Sequence, residues 1–179
     1  LVLYLVEMSV LQKILAMLLL KSAPQDLPYS PQLPLQMALL YVFSGVVVLQ
    51  TTLNPDDLLG GLLLSLAIQF LFTYIILGAL DKSARFVQTM SAILAVSIMF
   101  NLLSWPVFIM ITDSTASDAL KSTMSLLFLF IMSWEVLVKA HIFRHALEMK
   151  MFSALALSFS LLFISIALSQ MLFPAESAG

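Results

Sequence analysis

Leu58-Leu59-Gly60-Gly61-Leu62-Leu63-Leu64-Ser65-Leu66-Ala67-Ile68-Gln69-Phe70-Leu71-Phe72-Thr73-Tyr74-Ile75-Ile76-Leu77-Gly78-Ala79-Leu80 carries no charged residue from end to end. A helix rises 1.5 Å per residue, so about 20 apolar residues cross the hydrocarbon core of a bilayer. This stretch is long enough to do so. Gly60 and Gly61 near its start permit close approach of a neighbouring backbone, and Ser65, Gln69 and Thr73 recur every fourth residue as one polar stripe.

Working outward, residues 27–55, 86–112 and 151–175 form three more uncharged runs, and 122–134 forms a shorter one that continues through Glu135 to Val138. Of the 179 residues, 61% are hydrophobic and 10% charged, against roughly 45–50% and about 25% in soluble domains. These runs predict an all-α, polytopic transmembrane helical bundle of five spans with an N-terminal amphipathic interfacial helix. Residues 1–34 read as the interfacial helix and a Pro-rich linker, and 35–179 as a single transmembrane domain. The spans are expected at about 35–53, 55–80, 84–111, 119–138 and 152–173. One bundle is expected to consume nearly the whole of these 179 residues, leaving no room among them for a separate soluble catalytic domain.

Local signals mark the ends. Asn54-Pro55-Asp56-Asp57 combines a cap, a proline for the first helical position and acids facing the helix dipole. Asp81 or Ser83 is expected to cap the third span, and Pro106 to kink or break it after Trp105. The polar loop 113–118 ends in a further cap at Asp118. Near the amino terminus, Ser9, Gln12 and Lys13 share one side of a short apolar helix, the pattern of an interfacial segment. Reading residues 1–20 as a sixth span would bury Glu7 and Lys13, the costlier choice. Met8 is expected to be the natural start. Pro28, Pro31 and Pro34 keep the three-residue period of polyproline II and read as a stiff linker, with a docking strip as the alternative.

Basic residues segregate. Lys13, Lys21, Lys82, Arg85, Lys139, Arg144 and Lys150 fall on one side of the expected topology, and Lys121 alone on the other. The positive-inside rule therefore predicts a cytoplasmic amino terminus and an external carboxyl terminus in a bacterial inner membrane. A formal net charge of −2 gives no general attraction to nucleic acid. With no cysteine, disulfides, thiol catalysis, thiolate zinc sites and iron–sulfur clusters are excluded. No cofactor is expected.

Three groups of residues are candidates for chemistry. Glu135 lies about one turn inside the inner face of the fourth span, with Lys139 four residues on. Ionisable groups at that depth are costly and often functional, while a local helical ion pair is the simpler account. Ser97, Asn101 and Ser104 form a stripe on the third span matching Ser65, Gln69 and Thr73 on the second; both stripes suit helix adhesion or a substrate path. His141, Arg144, His145 and Glu148 lie along one helical stretch. His141, His145 and Glu148 share a face, but Ile142 stands where a zinc protease needs glutamate. A lipid-phosphate contact is the expected role, and no metal site is assigned. The His residues lack a visible nucleophile partner, there is no phosphate-binding Gly loop, and the eleven methionines are scattered. No catalytic residue is assigned, and the chain is expected not to be an enzyme.

Leu20-Lys21-Ser22-Ala23-Pro24-Gln25-Asp26-Leu27-Pro28-Tyr29-Ser30-Pro31 resembles the segment leading into the first span of a group of small proteobacterial inner-membrane proteins. Ser133-Trp134-Glu135-Val136-Leu137-Val138-Lys139-Ala140-His141-Ile142-Phe143-Arg144-His145-Ala146-Leu147 resembles their fourth span. The five-span layout is similar to that of the Yip family, whose eukaryotic members act in vesicle trafficking and bind Rab GTPases. The resemblance implies a non-enzymatic organiser, adaptor or accessory subunit in the bilayer, with a membrane-protein partner or a second copy. The alternative is a small oligomeric transporter or channel subunit using Glu135.

Overall fold

The computed structural model describes the backbone of residues 2–52 and 57–173, and side chains from Val10 onward. Six α-helices follow one another: α1 (Val2–Leu18), α2 (Leu33–Thr52), α3 (Leu58–Ala79), α4 (Phe86–Thr112), α5 (Asp118–Leu147) and α6 (Met151–Leu172). No strand occurs among the described residues. α2 to α6 are each long and apolar enough to cross a membrane. They cover the five apolar runs, and α5, expected from the sequence to run on past Val138 to Glu148, stays helical to Leu147.

α4 is the hub, packing on α2, α3 and α5. From Thr89 to Ser97 every side chain is buried, so this part of α4 has no outward face. The sequence explains how neighbours fit around it: Ser91, Ala92 and Ala95 are small, and the hydroxyls of Thr89 and Ser91 are absorbed by the carbonyls of Arg85 and Val87 one turn back. Fully buried Leu77, Ile93, Val96, Val138, Ile142 and Phe143 fill the surrounding core. Leu63, Leu71, Ile75, Leu126, Phe130, Phe163 and Met171 point outward.

Several local expectations change. Neither Asp81 nor Ser83 caps α4. A 3-10 turn, Ser83–Arg85, intervenes, and Arg85 is the capping position with no side-chain bond. Asp81 instead closes α3 in the left-handed conformation (φ 56°), with Lys82 N–H donating to the Leu77 carbonyl. Leu20 and Glu148 end α1 and α5 in the same way. Pro106 does not break α4, which remains helical to Thr112. Ser117 rather than Asp118 caps α5, accepting from Leu120 N–H at 3.3 Å. The Asn54-Pro55-Asp56 start signal lies outside the described residues.

The segment after α1 is bound to the bundle. Pro24–Asp26 forms a 3-10 turn, Pro24 and Leu27 are buried, and α2 begins at Leu33 with Pro34 in its first turn. In chain order, the carbonyls of Leu18 and Ser22 meet Trp134 and His141, and the Gln25 amide meets the His145 carbonyl. Residues 18–25 thus run as a strap along α5. Gln88 of α4 secures it by donating to the carbonyls of Gln25 and Leu27. Ala23 N–H and Ser22 Oγ both donate to the Asp26 carboxylate and hold its pKa below the usual aspartate value. On α1, Ile14 and Met17 pack inward while Leu11, Leu15 and Leu19 are exposed.

Candidate functional site

The two polar stripes and Glu135 converge. α3 presents Ser65 and Gln69, α4 presents Ser97 and Asn101, and α5 presents Glu135 and Lys139 to one cavity of about 210 Å³. Tyr41 of α2 and Ser158 and Ser165 of α6 complete its polar lining, so all five long helices contribute. The level is set by helix rise: Glu135 lies about 18 Å from the end of α5 at Leu147, and Gln69 about 15 Å from the end of α3 at Ala79. That is near the middle of the bundle. Buried Ile142, Phe143, Ala146 and Leu147 extend the packed part of α5 well beyond Glu135.

Glu135 and Lys139 pair at 2.7 Å, with side chains 24% and 15% exposed. The same carboxylate oxygen receives Ser97 Oγ–H at 3.3 Å, and Gln69 Oε1 lies 3.4 Å from that hydroxyl. One hydroxyl proton cannot serve two acceptors fully, and both contacts are long. Among the described residues, no group donates to the second oxygen of Glu135. The cavity therefore holds more acceptor capacity than its walls satisfy.

Other polar groups bind helix to helix. Tyr41 OH and Ser65 Oγ lie 3.0 Å apart, Asn101 donates to Ser44 Oγ at 3.2 Å, and Ser158 donates to the Val136 carbonyl at 2.8 Å. Gln69 Nε2 turns back to the Ser65 carbonyl at 3.3 Å. Ser104 is buried one turn beyond Asn101 and borders a smaller cavity with Glu135. Thr73 is fully buried with its hydroxyl unpartnered. Tyr41, Ser44, Ser158 and Ser165 were not singled out in the sequence. The signal was present in spacing, since Tyr41 and Ser44 stand three apart and Ser158 and Ser165 seven apart, each pair on one helical face.

The His141–Glu148 stretch is divided among different partners. His141 is buried with Nε2 3.1 Å from the Ser22 carbonyl, and its ring lies edge-on to His145 at 4.4 Å. Glu148 leaves that face for the α3–α4 loop, where Lys82 reaches it at 2.6 Å and Arg85 pairs with its other oxygen. These two cations pull its pKa from 4.5 down to about 2. Arg85 also donates to the His145 and Ala146 carbonyls, which satisfies the end of α5. Arg144 is exposed. Among the described residues, no group of three or more His, Asp or Glu side chains is placed to hold a metal ion.

No protein-family model, curated protein or solved structure matches this chain.

Proposed function

We propose that the chain is a multi-pass inner-membrane protein that admits a small polar solute to the cavity around Glu135, acting as a small transporter or channel subunit. The single observation behind this reading is the Glu135 carboxylate, with one oxygen undonated, on the wall of a cavity lined by five helices. Helix adhesion accounts for the pairs Tyr41–Ser65 and Asn101–Ser44 but not for empty space beside an ion pair. Pairing with Lys139 lowers the cost of keeping Glu135 charged at that depth, and a carboxylate whose partner can change is what coupling requires. The orientation follows from the basic residues of the 19–32, 80–85 and 148–150 connections, which favour the cytoplasm. α1 lies at the membrane surface, its exposed Leu11, Leu15 and Leu19 turned to the acyl chains.

Proteoliposomes carrying the purified chain test this reading. Solute or proton flux above that of empty liposomes, abolished in Glu135→Gln, is the expected result; equal flux in the two proteins would remove Glu135 from the mechanism.

A second reading is favoured by the first half of α5, where Leu120, Ser122, Ser125, Leu126, Leu129 and Phe130 are exposed. Polar hydroxyls on a lipid-facing helix suit another helix better than lipid. On this reading the chain is a non-enzymatic organiser, adaptor or accessory subunit, as the Yip-like layout implies. Extraction in a lipid-preserving medium followed by stoichiometry checks it. A partner at fixed ratio is expected, and a partnerless monomer under mild extraction would sink it.

A further inference from the structure

The cavity has two charged side chains in its lining, Glu135 and Lys139, and their formal charges cancel. A solute with a net charge would leave that charge uncompensated in a low-dielectric interior, next to a like charge on one of the two. A solute carrying both signs meets no such penalty. Its ammonium can donate to the free oxygen of Glu135 and to Gln69 Oε1. Its carboxylate can accept from Lys139, which has two further N–H groups after Glu135 takes one, and from the Asn101 amide.

A route to this cavity is also present. Ser65 and Ser165 line both it and a more open crevice of about 350 Å³ between α3 and α6, which continues past Gly61 to Ser169 and Gln170. α6 is the least enclosed of the five long helices, with 17% of its apolar stretch buried. In the opposite direction Leu77, Leu94, Val138, Ile142 and Phe143 are fully buried.

We propose that the Glu135–Lys139 cavity binds a small zwitterion, an amine and a carboxylate joined by a short chain, which enters along the α3–α6 crevice from the Gln170 end. The inference rests on reading the cavity as a solute site and adds the class of solute and the side from which it arrives.

The chain has no cysteine, so single cysteines report accessibility directly. Ser165→Cys and Ser169→Cys would be placed in otherwise native protein in lipid nanodiscs and treated with a charged, membrane-impermeant thiol reagent. Leu63→Cys, exposed on the lipid side of α3, is the control. Both serine positions should react and the control should not. Glycine, β-alanine or γ-aminobutyrate should slow modification of Ser165→Cys at least tenfold, while ammonium, sodium and acetate should not. The protection should disappear when Glu135→Gln or Lys139→Met is added. No protection by any of the three zwitterions, or equal protection by ammonium alone, overturns the inference. Labelling is read with Glu135 and Lys139 intact, so a misfolded double variant would not conceal the result. Protection without flux in proteoliposomes would retain the zwitterion site and reject transport. Flux of sodium or ammonium without zwitterion protection would do the reverse.

Discussion

Trp134 donates its indole N–H to the carbonyl of Leu18 at 3.0 Å, a bond between residues 116 positions apart in the chain. It is the first of the bonds that hold the 18–25 strap against α5. Leu18 lies in the last turn of α1, where carbonyls lack helical partners, so the indole supplies a missing donor.

Trp134→Phe keeps an aromatic ring but loses that donor. The strap should loosen by about 1 kcal/mol, a roughly fivefold rise in its open population. Amide hydrogen exchange at residues 19–25 should quicken accordingly while exchange in the 89–97 part of α4 stays unchanged. Equal acceleration in both would mean that the strap does not open separately.

Glu148 offers a test by acid. Its pKa is lowered from 4.5 to about 2 by Lys82 and Arg85, so the unfolded chain binds a proton more readily than the folded one. The stabilisation is complete above about pH 4.5 and is lost as pH falls toward 2. Thermal unfolding in detergent should show a decline between those values that is reduced in Glu148→Gln. An unchanged decline in the variant would place the acid sensitivity elsewhere.

At Glu135, either Glu135→Gln or Lys139→Met leaves one charge without its partner in a mostly buried setting. Each should cost about 2 kcal/mol, and the double variant should recover part of the sum. A thermodynamic cycle in lipid nanodiscs measures the coupling. Strict additivity would show that the 2.7 Å pair contributes nothing as a pair.

Thr73 should respond in the opposite sense. Its hydroxyl is buried without a partner, and valine has nearly the same shape. Thr73→Val should therefore stabilise the chain by about 1 kcal/mol, seen as a higher Tm in detergent. Destabilisation of that size would reveal a hydrogen bond to a water or solute at this position.

Hydropathy made the helices legible because an apolar run of span length has few other uses. Polar residues on α3 and α4 were legible as stripes because each repeats every four positions. What the sequence withheld were contacts between distant segments. Glu148 reads locally as part of a histidine face, but the α3–α4 loop supplies two cations that reorient its role. Three spaced prolines suggested a stiff linker, but nothing in their spacing tells that the preceding strap is bonded to α4 and α5. Asp81 was expected to cap the following helix and instead terminates the preceding one; its left-handed φ is not visible in residue type alone. At Pro106, where a kink or a break was expected, the helix continues on both sides, with Val107 packed in the core.

The convergence of Gln69, Ser97 and Glu135 also has a consequence in time. For a chain inserted while it is being synthesised, α3 emerges first and its Gln69 must wait for residues far downstream. At about 5–20 residues per second, the interval from Gln69 to Glu135 lasts roughly 3–13 seconds. During that interval the Gln69 amide has only the Ser65 carbonyl of its own helix as partner, so the polar face of α3 is completed only after α4 and α5 have been made.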